Sequence, residues 1–394
     1  MKILLLSFYF HPDLSAGSFR TSALVSALLG VLPENSQLEV ITTQPNRYSS
    51  FSLEAPLLEK HSRLIIHRIP IFQHNSGMLD QSRAFFSYLK GVLGITRNKD
   101  YDVVYATSSR LMTASLGALV ARQLRCPLYL DIRDIFVDTI KDVLPSRISF
   151  FVKPIFSMME RITVRTATRV NLVSAGFLPY FNSRYPGGDF VVFTNGIDDE
   201  FVKVQTSCER EESSSLYTVL YAGNMGEGQG LHLIIPQIAR HFDGHLRFLC
   251  IGDGGRRKQL QDAIEEAGCT NVEITSPVPR SELIAAYQKA DVLFLHLNDY
   301  DAFRKVLPSK IFEYAALGKP IWAGVAGYSA GFIQDFISNA AVFRPCNVED
   351  AIKAFSSLSM VTKPRKEFVE RFAREKIMKA LAEDIIFVVR GEVK

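Results

Sequence analysis

Short apolar runs alternate with longer segments of helical periodicity along almost the whole chain. The runs are apolar at nearly every position, which is typical of parallel strands that are buried on both faces. The segments between them predict amphipathic helices, so the alternation predicts strand–helix–strand units in an α/β fold. The predicted strands of the first half are residues 3–7, 38–43, 65–68, 103–106, 128–131, 170–174 and 191–193. Those of the second half are residues 219–223, 246–252, 272–274, 292–295, 320–323 and 341–343.

The polar stretch 199–216 interrupts this alternation, because its serines and glutamates cannot supply a core. We therefore predict a doubly wound domain over residues 1–198, a linker over 199–216 and a second doubly wound domain over 217–365. Residues 366–394 have helical spacing and could pack on either domain, including back on the first. A length of 394 residues suits two domains, and the cleft between them is the expected ligand site.

The apolar N-terminus resembles a short signal peptide but has no convincing small-residue cleavage site, so we predict a buried first strand. No run approaches the roughly 18–20 apolar residues of a membrane-spanning helix. The five cysteines are scattered without metal-like pairing, which favours reduced thiols in a cytoplasmic protein and argues against zinc or iron–sulfur sites.

The net charge of +4 is unevenly distributed. Residues 1–195 hold 21 lysines and arginines against 14 aspartates and glutamates, whereas residues 196–394 hold 24 against 27. A basic first half indicates an anionic partner there, either membrane headgroups or nucleic acid. A net charge this small and the lack of a base-stacking motif argue against nucleic acid.

Residues 307–320 predict a turn, a helix, a glycine that ends the helix and a buried strand. Backbone N–H groups at the helix start could bind an anion, and Lys310 would add a positive charge. Glu313 lies one turn further on, where it could accept hydrogen bonds from hydroxyl groups. The alternative is an ordinary capped helix with one ion pair.

Three further loops follow predicted strands of the second half. The first contains Gly223, Asn224, Gly226 and Gln229, the second is the Gly-Asp-Gly of residues 252–254, and the third is the Pro-Val-Pro around Val278. Glycines between a strand and a helix allow close backbone approach to a bulky anion, although tight turns also use them without a ligand. The spacing misses the dinucleotide fingerprint, so NAD is not inferred.

These loops in this order, followed by Phe-Arg-x-Val-Leu-Pro-Ser-Lys-Ile-Phe-Glu-Tyr, resemble the GT4 family of retaining GT-B glycosyltransferases. The chain is most similar to the WbuB-type branch, which acts in bacterial surface-polysaccharide synthesis. The resemblance extends to the opening Ser-Phe-Tyr-Phe-x-Pro and to residues 131–134, 174–177 and 195–198. It implies the GT-B architecture, in which two Rossmann-like domains with parallel sheets face a central cleft.

The resemblance also implies that the second domain binds a nucleoside diphosphate sugar and that the first binds the acceptor. Glu313 matches the glutamate that grips the ribose, and Ser309 and Lys310 lie where the helix start meets the diphosphate. Val278 falls in the loop that reads the base, and Gly17 in the loop that approaches the donor phosphates. The remaining donor-binding candidates are Gly223, Asn224, Gly226, Gln229, Arg304, Leu307 and Pro308.

This chain departs from the family pattern at three places. Lys305 replaces the first glutamate of the usual pair, Asn224 and Gln229 replace a basic pair, and Arg133 stands near a frequent histidine. The usual phosphate-neutralising cations are therefore missing, and we expect Lys310 and Arg304 to take their place. Arg304 could equally be a solvated loop residue.

The implied reaction is metal-independent transfer, with retention, of a hexose such as an N-acetylated or deoxy sugar from a nucleotide sugar, with UDP the expected nucleotide. The implied acceptor is a lipid-linked or growing surface glycan such as an O-antigen or capsule. Asp134 and Asp131 are candidates to orient the acceptor hydroxyl, with Arg133 between them. Alternatively, an aspartate pairs with Arg133 and only caps the turn.

Residues 81–97 and 147–161 mix basic, aromatic and methionine side chains, among them Arg83, Lys90 and Lys153. Such helices suit peripheral attachment to the inner face of the cytoplasmic membrane, although aromatic stripes often belong to a core. The rival enzyme is a GT-B epimerase or sugar-phosphate synthase with a soluble acceptor. The alternative hypothesis that is not an enzyme is a nucleotide-sugar-binding protein.

Overall fold

The computed structural model describes residues 1–13, 15–46, 55–71, 78–108, 111–138, 146–203 and 216–391. The chain divides into two compact units. Unit 1 comprises Met1–Asn195 and Arg374–Lys394, and unit 2 comprises Gly196–Ala373. No helix within the described ranges is both long enough and apolar enough to cross a membrane.

Unit 1 is built on an eight-stranded sheet with the strand order β3-β4-β2-β1-β5-β6-β7-β8. Only β3 runs antiparallel, against β4. The order reverses direction between β1 and β5, as in doubly wound folds. The strands are β1 (Lys2–Leu6), β2 (Gln37–Thr43), β3 (Leu58–Lys60), β4 (Leu64–Ile69), β5 (Val103–Thr107), β6 (Leu128–Ile132), β7 (Arg169–Leu172) and β8 (Phe190–Val191).

The helices of unit 1 include one from the far end of the sequence. They are α1 (Ala16–Val31), α2 (Met78–Thr96), α3 (Leu111–Leu124), α4 (Ser146–Thr166), α5 (Leu178–Arg184) and, after the chain returns from unit 2, α14 (Arg374–Arg390). Leu24 and Leu28 of α1 share one buried cluster with Leu381 and Ile385 of α14. This apolar contact explains why the C-terminal helix belongs to unit 1.

Unit 2 is built on a six-stranded parallel sheet with the order β11-β10-β9-β12-β13-β14. Successive strands are added to one side of β9 up to β11 and to the other side from β12 onward, so the strand order reverses between β9 and β12. In doubly wound folds the ligand binds at the carboxyl ends of the strands at this point. The strands are β9 (Tyr217–Asn224), β10 (Leu246–Asp253), β11 (Val272–Thr275), β12 (Val292–His296), β13 (Ile321–Gly324) and β14 (Ala340–Phe343). The helices are α6 (Asp199–Val202), α7 (Leu231–His241), α8 (Arg257–Glu266), α9 (Arg280–Lys289), α10 (Lys310–Ala316), α11 (Tyr328–Phe336), α12 (Val348–Ser356) and α13 (Lys366–Phe372).

An aromatic cluster fills one face of the unit 2 sheet. Phe294 of β12 lies edge-on to Trp322 of β13 with ring centres 5.3 Å apart, and Phe248 of β10 lies 6.0 Å from Phe294. These rings are fully buried. Side chains of this size hold the central strands rigidly and keep their carboxyl ends at fixed positions.

All thirteen predicted strands are present with small shifts in their ends, and β3 is an additional short edge strand. Two predicted boundaries differ from the structure. The predicted linker includes α6, whose Phe201 is buried and packs on Tyr287 at a ring distance of 6.0 Å, so unit 2 begins before it. Residues 204–215 of that linker, with Cys208, lie outside the described residues.

The C-terminal segment 366–394 is two helices rather than one. Phe372 of α13 packs on Phe312 of α10 with ring centres 5.4 Å apart, which holds α13 in unit 2. The next helix, α14, contributes its apolar face to unit 1. The chain passes between the units at Ala373 and Arg374 because each helix buries its apolar face in a different core.

Candidate functional site

At the carboxyl edge of the unit 2 sheet, Lys310 lies directly against the backbone of Gly223. A Cβ atom placed on Gly223 would lie 1.9 Å from Lys310 Nζ, and the φ angle of Gly223 is +138°. Glycine is therefore required twice, for the backbone conformation and for the space that the lysine occupies. Lys310 Nζ also lies 5.6 Å from the ring centre of Tyr221. Together these contacts place an ammonium group at the end of β9, beside the point where the sheet reverses.

The turn after β9 is held by its own polar side chains. Gln229 Oε1 accepts hydrogen bonds from Asn224 Nδ2 at 2.8 Å and from the Gly226 N–H at 3.1 Å. Asn224 and Gln229 therefore bind each other and shape the loop. Among the described residues, the N–H groups of Glu227 and Gly228 have no acceptor. Backbone N–H groups in such a turn can bind an anion.

The loop after β10 packs against the turn after β9. Gly252 is paired in the sheet with Gly223, and a Cβ atom on Gly252 would lie 1.9 Å from the Gly223 carbonyl oxygen. Asp253 Oδ1 accepts a hydrogen bond from the Gly254 N–H at 2.8 Å. The two glycine-containing loops thus form one continuous backbone surface at this edge of the sheet.

Glu313 lies on α10 one turn beyond Lys310 and is half-buried. The hydroxyl of Tyr287, on α9, lies 3.4 Å from Glu313 Oε2. Burial disfavours the charged form of Arg280, but the charges of Glu313 and Asp198 hold its pKa above the usual value. The carboxylate of Glu313 therefore lies beside the Tyr287 hydroxyl and within the electrostatic influence of Arg280, and its oxygens can accept hydrogen bonds from a ligand.

The sequence of this chain is similar to known glycosyltransferases, and the family match includes the loops of unit 2 described above. The family model described as glycosyl transferases group 1 matches residues 208–375. A curated relative, the putative colanic acid biosynthesis glycosyl transferase WcaI of Escherichia coli (strain K12), is 26% identical over 173 residues. That match covers 42% of this chain and 42% of the relative, so it spans less than half of each protein.

The fold of the whole chain matches solved GT-B glycosyltransferases. Sucrose-phosphate synthase from Thermosynechococcus elongatus covers 100% of both chains with a TM-score of 0.75 and 13% identity. Anabaena HepE, solved in complex with UDP and glucose, covers 98% of this chain and 99% of its own with a TM-score of 0.68 and 17% identity. The chain therefore has the GT-B fold, as the sequence predicted.

The other predicted donor-binding residues within 208–375 differ in how far their side chains are exposed. Val278 lies half-buried in the loop between β11 and α9. Pro308 and Ser309 are half-buried before α10, and the Ser309 side chain makes no capping bond. Leu307 is buried in the protein interior, so its side chain cannot contact a donor.

Arg304, which we expected to bind the donor phosphate, is instead paired with carboxylates of its own loop. Its Nη2 lies 3.1 Å from Asp299 Oδ1, and its Nε lies 4.0 Å from Asp301 Oδ1. Arg304 is thus exposed and paired with two carboxylates of its own loop. Arg256 Nε is paired with Glu227 Oε2 of the turn after β9 at 2.5 Å. Of the two predicted phosphate-binding cations, Lys310 is the one that lies against the backbone of Gly223.

In unit 1, Asp131 is part of a buried ion pair rather than an exposed acceptor site. Arg20 Nε and Nη2 donate to the two Asp131 oxygens at 3.0 and 2.9 Å, and both side chains are 1% exposed. Asn171 Nδ2 donates to Asp131 Oδ1 at 2.6 Å. Burial alone would raise the pKa of Asp131, but Arg20 holds it below the usual value. Because Asp131 is buried and paired with Arg20, its carboxylate is not accessible to an acceptor hydroxyl in this structure, and Asp131 has a structural role.

Arg133 and Asp134 lie beyond this pair, at the end of β6. A Cβ atom on Gly17 would lie 2.4 Å from Arg133 Nη1, so the guanidinium lies against the backbone at the start of α1. Burial lowers the pKa of Arg133. Asp134 is exposed. The structure therefore brings Gly17 and Arg133 together and leaves Asp134 open to solvent.

Sequence reasoning missed several residues of these sites, among them Arg20, Asn171, Tyr287, Arg280, His296 and Asn298. Arg20 stands on a buried helix face between apolar residues, and an arginine in such a position must have a buried partner. His296 follows a fully apolar strand in the same way. Both signals were visible in the sequence, but neither identifies the partner.

Proposed function

We propose that the chain is a retaining glycosyltransferase that moves a hexose from a nucleoside diphosphate sugar, with UDP the expected nucleotide, to a lipid-linked or growing surface glycan. The observation that carries the proposal is the contact of Lys310 with Gly223 where the sheet reverses, with Glu313 one helical turn further on. The match of residues 208–375 to the glycosyl transferases group 1 model supports glycosyl transfer as the reaction. The similarity to the colanic acid relative supports a surface-polysaccharide role, which we propose is of the WbuB type.

The unit 2 edge offers complementary partners for each part of the donor. The diphosphate would lie against the glycine turn, close to the ammonium group of Lys310 and to the N–H groups of Glu227 and Gly228. The ribose hydroxyls would donate to Glu313, and the base would lie beside the loop of Val278. Anabaena HepE, a protein of the same fold, was solved with UDP and glucose, which supports this class of donor.

Departure of the diphosphate leaves negative charge on its oxygen, so stabilising this charge is the main catalytic task. The ammonium group of Lys310 can stabilise this negative charge in place of a metal ion, because it provides a positive charge beside the glycine turn. We therefore propose metal-independent transfer. The acceptor hydroxyl would attack from the face that the diphosphate leaves, with the donor phosphate taking its proton, which retains the configuration.

Unit 1 would bind the acceptor. Asp134, which is exposed, is the carboxylate that we propose orients the acceptor hydroxyl, because Asp131 is buried and paired with Arg20 and Asn171. Within unit 1, Arg133 lies against Gly17 at the start of α1, and the role of Gly17 at the donor phosphates stays a prediction. Asp134 acts in this proposal by orienting the hydroxyl.

Two helices of unit 1 support attachment to an anionic membrane surface. On α4, Ile155, Met158 and Ile162 lie on one face and are 68%, 65% and 44% exposed, with basic Lys153 and Arg161 beside them. An apolar stripe flanked by cations is typical of helices that lie in the headgroup region. The side chains of residues 147–151, predicted to belong to this surface, lie outside the described part.

Helix α2 adds a second basic face. Phe86 is 63% exposed, and Arg83 and Lys90 are exposed beside it. Phe85 and Tyr88, which the sequence also placed on this surface, are buried in the core. We therefore propose that the enzyme works at the inner face of the cytoplasmic membrane, where lipid-linked acceptors are found.

The combined variant Arg83→Gln, Lys90→Gln, Lys153→Gln should bind anionic liposomes about a hundredfold more weakly than the wild type. Each cation near such a surface contributes about 1 kcal/mol of binding free energy. Co-sedimentation with vesicles containing phosphatidylglycerol measures the change. The control variant Arg122→Gln, Lys289→Gln, Lys379→Gln removes three exposed charges from other helices and should bind normally. Equal binding of both variants would remove the membrane surface from the proposal.

The function is tested by incubating the wild type with UDP-sugars and either a lipid-linked glycan or a soluble sugar phosphate, with and without EDTA. We expect transfer to the lipid-linked acceptor, a product that keeps the anomeric configuration of the donor, and no loss with EDTA. Transfer only to the soluble acceptor, or epimerisation without transfer, would favour the rival enzyme classes. Nucleotide-sugar binding without turnover would indicate a binding protein.

A further inference from the structure

Residues at the end of β12 form hydrogen bonds to three backbone carbonyls, at positions 227–229, of the turn after β9. His296 Nδ1 lies 2.6 Å from the Gln229 carbonyl oxygen. The Asn298 N–H donates to the Gly228 carbonyl at 2.9 Å, and Asn298 Nδ2 donates to the Glu227 carbonyl at 3.1 Å. Three consecutive carbonyls of the turn are thus held by two residues of one strand end.

The protonation state of His296 follows from its other contact. The Cys346 N–H donates to His296 Nε2 at 3.0 Å, so the proton is on Nδ1 and is donated to Gln229. His296 is 0% exposed, and burial lowers its pKa to about 4, so the ring is neutral at neutral pH. The imidazole therefore connects the turn after β9 with the loop after β14 in one fixed tautomer.

We propose that His296 and Asn298 are positioning residues that orient the glycine turn for the donor diphosphate. This inference rests on the proposed function. Asn298 holds the Glu227 carbonyl and so fixes the peptide plane that carries the Gly228 N–H. The Gly226 carbonyl accepts from the Gln229 N–H at 3.2 Å, which fixes the plane that carries the Glu227 N–H, and His296 in turn holds the Gln229 carbonyl. The N–H groups of Glu227 and Gly228, which have no acceptor in the described residues, are then presented to a ligand.

The hydrogen bonds of His296 matter more than its bulk in this account. The ring stacks between Phe294 and Phe343 at distances of 6.1 and 6.0 Å, so a phenylalanine would fill the same space in an aromatic cluster. It would lack the donor for Gln229. An asparagine is smaller, but its amide group can place a donor near the position of Nδ1. The two substitutions therefore separate packing from hydrogen bonding.

The test compares His296→Phe, His296→Asn and Asn298→Leu with the wild type by titration with UDP, by steady-state kinetics and by thermal unfolding. We expect His296→Phe and Asn298→Leu to weaken UDP binding and raise the donor KM about tenfold, the effect of one lost hydrogen bond. His296→Asn should stay within about threefold of the wild type. The KM for the acceptor should not change. Asn298→Leu provides an independent variant if His296→Phe does not fold.

Three results would overturn the inference. Wild-type UDP affinity in His296→Phe and Asn298→Leu would show that the turn needs no fixing. Equal losses in His296→Phe and His296→Asn that track the melting temperature would show a role in packing alone. If the wild type binds neither UDP nor GDP, the proposed function fails together with the inference, whereas the first two results overturn the inference alone.

Discussion

Lys310→Ala is expected to lower kcat/KM for the nucleotide sugar by about a hundred- to a thousandfold, the usual loss when one group that stabilises developing negative charge is removed. The expectation follows from the position of Lys310 Nζ against Gly223, at the reversal point of the unit 2 sheet. The other candidate cation, Arg304, is already paired with Asp299 and Asp301. Initial rates at varied donor concentration measure the effect.

The matched control is Lys289→Ala, which removes an exposed lysine at the end of α9. It should have wild-type kinetics. Lys310→Arg should recover only part of the activity, because a guanidinium is larger than the space that Gly223 leaves beside the ammonium group. Wild-type kcat/KM in Lys310→Ala would show that the diphosphate depends on other groups.

Asp131→Ala is expected to lower the free energy of unfolding of unit 1 by about 3–5 kcal/mol, because it leaves the charge of Arg20 buried without a partner. The two side chains are 1% exposed, and Arg20 donates two hydrogen bonds to Asp131. Urea unfolding followed by far-UV circular dichroism measures the loss. The single tryptophan, Trp322, lies in unit 2, so its fluorescence reports separately on the unit that the substitution leaves intact.

Asp134→Asn is the matched comparison three residues further on. Its carboxylate is exposed, so the substitution should leave the urea midpoint of unit 1 unchanged and lower turnover through loss of acceptor orientation. The opposite pattern, with a stable but inactive Asp131→Ala and a fully active Asp134→Asn, would return the acceptor role to Asp131.

The strands and the glycine loops could be predicted because their signals are local. A strand buried on both faces is apolar at nearly every position, and a strand–helix turn that needs a positive φ requires glycine, as at Gly223. Lys310 and Glu313 could be proposed as site residues because both stand on one short helix at the required spacing; their roles stay predictions. The short edge strand β3 was missed because its three residues carry no clear pattern.

The partners of charged residues could not be predicted, because they depend on contacts between distant segments. Asp131 seemed available as an acceptor residue, but its partner Arg20 is 111 positions away along the chain. The connection from His296 to Gln229 and Cys346 joins three separate loops, and no spacing in the sequence indicates it.

The central claim, that the carboxyl edge of the unit 2 sheet binds a nucleoside diphosphate sugar, is tested most directly by amide hydrogen exchange of the wild type with and without saturating UDP. The account predicts that UDP slows exchange in residues 223–230, 252–257, 276–280 and 307–313. Slower exchange confined to unit 1, or no change at UDP concentrations that saturate binding, would contradict it.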